Sequence, residues 1–266
     1  MAVAGPEAPA NTVTLEHPDA QPVLSRLGVT GSLRRELEAL LAAAPPDAKP
    51  EQYRRLIVEE NAAGKSSAAQ RLQVWWRLKL RYVLDPEIAE FRAFRRAMDT
   101  ASSTTERGLL CLLMFARTDR LFREATLECV SPRLSLALGE AVDAEDVGET
   151  IRRIAESAGH RWSPTTLHRS RAHLLSTLKD FGVLAGHVRK RTVPRRPTPT
   201  VTAFVVRLAR LESLTDRQAL GCRWFRLLGA DEQQATSLLY AAQRAGSLSF
   251  QERAGVVEIG LPEEAS

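Results

Sequence analysis

The chain has 266 residues and a mass of 29.4 kDa, with 44% apolar and 26% charged residues. That is material for two modest domains and excludes a collagen, a disulfide miniprotein and a wholly disordered chain. Lys plus Arg number 37 and Asp plus Glu 32, a net charge of +5, so the total is only mildly basic.

Residues 1–22 are rich in Ala and Pro without periodicity and are expected to form a flexible tail. From Ser32 the pattern is helical, with Leu33, Leu37, Leu40 and Leu41 on one stripe until Pro45-Pro46 stops it. Further helices are predicted over 51–62, 66–84, 87–98, 104–116 and 120–130, with little or no sheet before Val142. In the helix over 66–84, Leu72, Trp76, Leu80 and Val83 read as the buried stripe, leaving Arg77 and Arg81 on an exposed edge.

A different unit begins near Asp143. A helix over 146–158 ends at Gly159, and Ser163-Pro164-Thr165 starts another that runs to Phe181 and closes at Gly182. Residues 183–192 look extended, Pro194-Arg195-Arg196-Pro197 is a turn, and 198–202 return as a second strand. Helix, turn, helix and basic hairpin is a winged-helix order. Helices over 203–211, 217–228 and 232–245 follow, the last with Asp231 as N-cap and Gly246 as stop. A small hairpin over 248–250 and 256–259 turns at Gly255. The fold class is therefore mainly α, divided as a tail (1–22), a helical N-terminal domain (23–141), a winged-helix-like basic unit (142–202) and C-terminal helices with a hairpin (203–266).

Several function classes are weakly supported. The longest uncharged apolar run, Gly108 to Ala116, is far shorter than the roughly 20 residues that cross a bilayer. Residues 1–25 hold no Lys or Arg and no apolar core of a secretory signal, so a cytoplasmic protein is expected. Cys111, Cys129 and Cys222 lie far apart with no CxxC spacing and read as buried thiols. Gly64-Lys65-Ser66 ends like a P-loop, but Glu59 stands where that motif needs its first glycine and the preceding residues look helical. The segment reads instead as a helix junction with Ser66 or Ser67 as N-cap. His168 and His173 are five apart with no further ligand, so no metal or cofactor is expected, and no nucleophile or nucleotide motif marks an enzyme.

The charge distribution is more informative than the total. Between His160 and Arg196 stand Arg161, Arg169, Arg171, Lys179, Arg189, Lys190, Arg191, Arg195 and Arg196 against the single acid Asp180, together with four of the five histidines. On the helix that opens at Pro164, Leu167, Leu174, Leu178 and Phe181 share one face. Thr165, Arg169, Ala172, His173 and Ser176 then occupy the other, where hydroxyl, guanidinium and imidazole groups can meet base edges or phosphates. Arg171 falls on the apolar side and is expected to snorkel. The candidate DNA-binding residues are thus Thr165, Arg169, His173 and Ser176 for the groove, with Arg189, Lys190, Arg191, Arg195 and Arg196 at a hairpin tip for phosphates.

Two stretches carry a resemblance. Ile57-Val58-Glu59-Glu60-Asn61 followed by Lys65-Ser66, and Gln251-Glu252-Arg253-Ala254-Gly255-Val256-Val257-Glu258-Ile259, resemble the BrxA family of the bacteriophage exclusion (BREX) defence systems. The likeness in order and helical layout covers residues 52–262. It implies a mostly helical protein, part of it similar to the NusB-like fold, that binds double-stranded DNA without catalytic activity. It also implies other BREX proteins as partners: a methyltransferase, a large ATPase and a phosphatase-like protein. The expectation is a non-enzymatic DNA-binding accessory of antiviral defence, largely indifferent to sequence; the alternatives are a protein–protein adaptor within the defence complex and an RNA-binding protein.

Overall fold

The structure is a computed structural model and describes residues 15–24, 31–136 and 139–262. A single 3-10 turn (Pro18–Ala20) precedes helices α1 (Arg34–Ala43), α2 (Pro50–Val58), α3 (Ala68–Tyr82), α4 (Ala89–Thr100), α5 (Thr104–Thr118), α6 (Arg120–Cys129) and α7 (Ser131–Leu136). Strand β1 (Ala141–Val142), helices α8 (Ala144–Ser157) and α9 (Pro164–Asp180), and strands β2 (Leu184–Ala185) and β3 (Lys190–Thr192) come next. The chain ends with α10 (Pro199–Leu211), α11 (Asp216–Leu220), α12 (Arg223–Leu227), α13 (Glu232–Arg244) and the hairpin β4 (Ser249–Arg253) and β5 (Val256–Gly260). The molecule is mainly helical, as its sequence pattern predicts.

Helix starts follow local chemistry. Ser67, Ser103, Asp119, Asp143, Ser163, Thr198, Thr215 and Asp231 each accept a backbone N–H of the first turn they precede. Such a cap stabilises by about 1 kcal/mol. Ser67 so fulfils the helix-junction reading of Gly64-Lys65-Ser66, and the Lys65 ammonium is spent on Glu36 at 2.6 Å.

Helix α5 is apolar all round, from Leu109 to Ala116, and consequently lies at the centre. Helices α3, α4, α6 and α10 pack around it. A run of ring contacts crosses the core, from Tyr82 on α3 to Phe115 on α5, then to Phe122 on α6 and Phe181 just after α9. The buried apolar residues form one cluster that takes in Val23 at one end of the chain and Ile259 at the other. The three cysteines are free and buried. Among the described residues no helix is long and apolar enough to cross a membrane.

Several expectations are corrected. Residues 198–202 are not a strand: Thr198 caps α10, and Pro199 at the first helical position suits a helix start. The predicted helix 217–228 is two short helices, because Gly221 and the extended Cys222 interrupt it. Helix α2 stops at Val58, with Asn61 in the left-handed region at φ 58°. Residues 15–22 are held rather than free: Arg117 donates to the carbonyls of Leu15 and Glu16, Arg123 to that of Pro18, and Arg223 pairs with Asp19. Residues 1–14 lie outside the described residues.

The stripe assigned to α3 is also out of phase. The buried side chains are Val74, Trp75, Leu78, Arg81 and Tyr82, while Leu72, Trp76 and Leu80 are exposed. Both stripes are apolar and only one can face α5. The choice falls to the side that brings in Tyr82, whose ring stacks on Phe94 and whose hydroxyl donates to the Ser32 carbonyl at 2.8 Å. Arg81 accordingly lies over the Phe115 ring, 5.2 Å from its centre, and is no exposed phosphate contact.

Candidate nucleic-acid interface

Helix α9 owes its position to both ends and to one face. Leu174, Leu178 and Phe181 are fully buried, with Leu167 partly so. At the N-terminal end Ser163 Oγ accepts from the Thr166 amide. At the other end the Arg34 guanidinium donates to the Asp180 carbonyl at 3.0 Å, and the Ser32 hydroxyl to Asp180 Oδ2 at 2.9 Å. Gly108 makes this seat possible, because a β-carbon there would come within 2.4 Å of the Phe181 carbonyl oxygen.

The outward face is the one the wheel predicts. Thr165, Arg169, Ala172 and Ser176 are exposed and His173 is half-buried, spread along about 16 Å of helix. Burial, with the charges of Arg81 and Arg169 adding to it, holds the His173 imidazole below its ordinary pKa. Arg171 lies along α8 with its stem against Gly148 and its guanidinium 3.2 Å from His168 Nδ1, which is the snorkelling geometry.

The hairpin differs from the prediction in where it turns. Residues 183–192 contain both strands, with Leu184 opposite Thr192 and Ala185 opposite Arg191. The loop is therefore Gly186, His187, Val188 and Arg189. Strand β3 also pairs with β1, Ala141 opposite Arg191 and Val142 opposite Lys190, giving the sheet order β1-β3-β2. Gly186 takes φ 93°, and a β-carbon on it would meet the Arg189 carbonyl oxygen at 2.1 Å.

Arg189 is exposed at the end of the loop, and Arg191 is exposed on β3 with its guanidinium donating to the Gly139 carbonyl at 2.8 Å. Lys190 is half-buried; burial and the neighbouring Lys179 ammonium lower its pKa. Arg195 and Arg196 are not at the tip. They stand in the segment between β3 and α10, where Arg195 donates to the Gly182 carbonyl at 3.2 Å. Both border a cleft with Leu134, Leu228, Ala230 and Leu238. Lys179 is the residue the wheel passes over, since Lys190 marks it as part of the same cationic surface although it sits in the last turn of α9.

Charge pairing is dense outside this strip. Many arginines there are matched with acids, as Arg34 with Glu38, Arg95 with Asp99, Arg117 with Glu90 and Arg120 with Glu124. Among the described residues, no ion pair joins any of the nine basic residues between 160 and 196 to a carboxylate. Asp180, the acid within the strip, is turned to Ser32. An unneutralised row of cations on an exposed helix face and an adjoining hairpin attracts a polyanion.

No curated protein sequence matches the chain. The model of the BrxA family matches residues 26–208, which include Ile57 to Asn61, α9 and the β2–β3 hairpin and leave the Gln251 to Ile259 stretch outside. The match spans more than half of the sequence, and with the helical layout it identifies the chain as a member of the BrxA family of BREX phage-defence systems.

Proposed function

We propose that the chain is a non-enzymatic accessory protein of BREX defence that binds double-stranded DNA, largely without regard to sequence. The observation that carries the reading is the row of basic side chains between 160 and 196, for which no carboxylate partner stands among the described residues. The chain order α7, β1, α8, α9, β2, β3, with β3 between β1 and β2, supports a winged-helix unit. In that unit α9 is the recognition helix, directing Thr165, Arg169, His173 and Ser176 to a groove, while the β2–β3 loop lies along the backbone. Arg189, Lys190 and Arg191 then neutralise phosphates, with Arg195 and Arg196 extending the field. One arginine on the helix face gives little base readout, so phosphate contacts dominate affinity.

The proposed setting is the cytoplasm, alongside the methyltransferase, ATPase and phosphatase-like proteins of the same systems. A mobility-shift assay with the purified protein alone tests the reading, using duplex DNA as probe and duplex RNA as competitor. Retardation of DNA that RNA poorly reverses is expected, because the deep narrow groove of A-form RNA excludes a helix. Absence of any shift contradicts DNA binding and leaves a protein adaptor; equal competition by RNA contradicts selectivity for DNA.

A further inference from the structure

Among the described residues, three of the six exposed large apolar side chains stand together on α3: Leu72 at 41% exposure, Trp76 at 54% and Leu80 at 52%. They recur every four residues, so they share one face and form a stripe about 12 Å long. Val83, Ile88, Pro22 and Leu15 border its Leu80 end. Single exposed apolar residues are ordinary, but a continuous stripe rimmed by polar groups marks a docking surface. The core does not use it, since α3 already packs through Val74, Trp75, Leu78 and Tyr82.

Charge decides what kind of partner fits. Helix α3 carries Arg71, Arg77, Lys79 and Arg81 and no acidic residue. Gln73, Arg77 and Lys79 flank the stripe on the helical wheel. Two acidic groups, Glu16 and Asp85, border the end near Leu80. We propose that this face of α3 docks an amphipathic helix of a partner protein, with apolar side chains every three to four residues and carboxylates along the edge that meets Arg77 and Lys79. Such a helix laid in an apolar groove is a recurrent mode of recognition. A second copy of the chain fits less well, because it lays the Arg77 and Lys79 charges of two helices that carry no acid along one another. Duplex DNA offers no apolar surface to cover Leu72 and Leu80. The inference is independent of the DNA-binding reading, which uses α9 and the β2–β3 hairpin.

The test uses the full-length protein, its Leu72→Ser/Leu80→Ser variant and its Trp76→Ala variant. All three positions are exposed, and unchanged melting temperatures confirm that the variants fold. The probe is a fluorescein-labelled synthetic peptide of leucine and glutamate, about 18 residues long so that a helix can form. A lysine-for-glutamate counterpart is the control. The glutamate peptide is expected to bind the wild type about tenfold more tightly than it binds either variant, and about tenfold more tightly than the lysine peptide binds the wild type. Equal affinity across these pairs overturns the proposal. So does a wild-type dimer in sedimentation that Leu72→Ser/Leu80→Ser converts to monomer, which assigns the face to a second copy. Displacement of the peptide by a single-stranded oligonucleotide whose binding needs only Trp76 overturns it in favour of base stacking.

Discussion

The Lys190 ammonium donates to the Gly186 carbonyl at 3.1 Å, and to that of His187 at 2.8 Å, closing the β2–β3 loop from within. A cation of the candidate interface is thus also a structural tie, and the conformation it ties is one that only glycine adopts readily at position 186. Gly186→Ala places a β-carbon against the Arg189 carbonyl as well as straining φ. A loss of about 1–3 kcal/mol is expected in the local structure. Hydrogen exchange should show faster exchange at residues 184–192 with the α5 core unchanged, together with weaker duplex binding; an unaltered hairpin contradicts the assigned turn.

His173 gives the proposed DNA binding an expected pH dependence of definite sign. Its pKa in the folded protein lies below the ordinary value of 6.5, through burial first and then Arg81 and Arg169. For folding, its contribution is complete above 6.5 and is lost as pH falls toward the folded value, because the unfolded chain takes up the proton first. For DNA the sign reverses, since a phosphate beside the imidazole raises its pKa. Affinity for duplex should rise as pH falls below neutrality, and His173→Gln should flatten part of that rise. An identical pH profile in the variant removes His173 from the interface.

The Glu90–Arg117 pair anchors residues 15–16 to the core. Its two groups meet at 2.6 Å with side-chain exposures of 0% and 1%, and the Leu15 amide donates to the same carboxylate. Glu90→Ala leaves the buried guanidinium without its hydrogen-bonded counter-charge, with Glu212 acting on it only through space, a change that costs about 3–5 kcal/mol. Replacing both partners by Leu and Met should recover much of this loss. Urea denaturation measures both, and a cost below about 1 kcal/mol for Glu90→Ala contradicts the pairing.

How far the molecule was legible depends on how many signals agreed at each point. In α9, the Ser163-Pro164 start, the Leu174, Leu178 and Phe181 stripe and the Gly182 stop all point the same way, and its exposed face follows, with His173 half-buried. In α3 two apolar stripes compete, and the one containing Tyr82 wins through contacts with Phe94 and Ser32 that no local pattern discloses. The sequence pattern sets the hairpin one segment late because a basic Pro-flanked quartet resembles a turn, whereas Gly186 makes the turn and Thr198-Pro199 starts a helix. The lack of carboxylate partners for the basic strip among the described residues is a tertiary property, to which the bond between Asp180 and Ser32 contributes.

The most direct measurement is fluorescence anisotropy of the purified protein with two unrelated duplexes of about 30 base pairs, titrated over a range of salt and repeated with Arg169→Glu/Arg189→Glu. Phosphate-dominated binding by α9 and the hairpin predicts affinities that fall steeply and equally for both duplexes as salt rises, with a shallower slope and at least about tenfold weaker binding in the variant. A wild type that binds neither duplex at low salt, or a variant whose affinity and salt slope are unchanged, contradicts DNA binding by this strip.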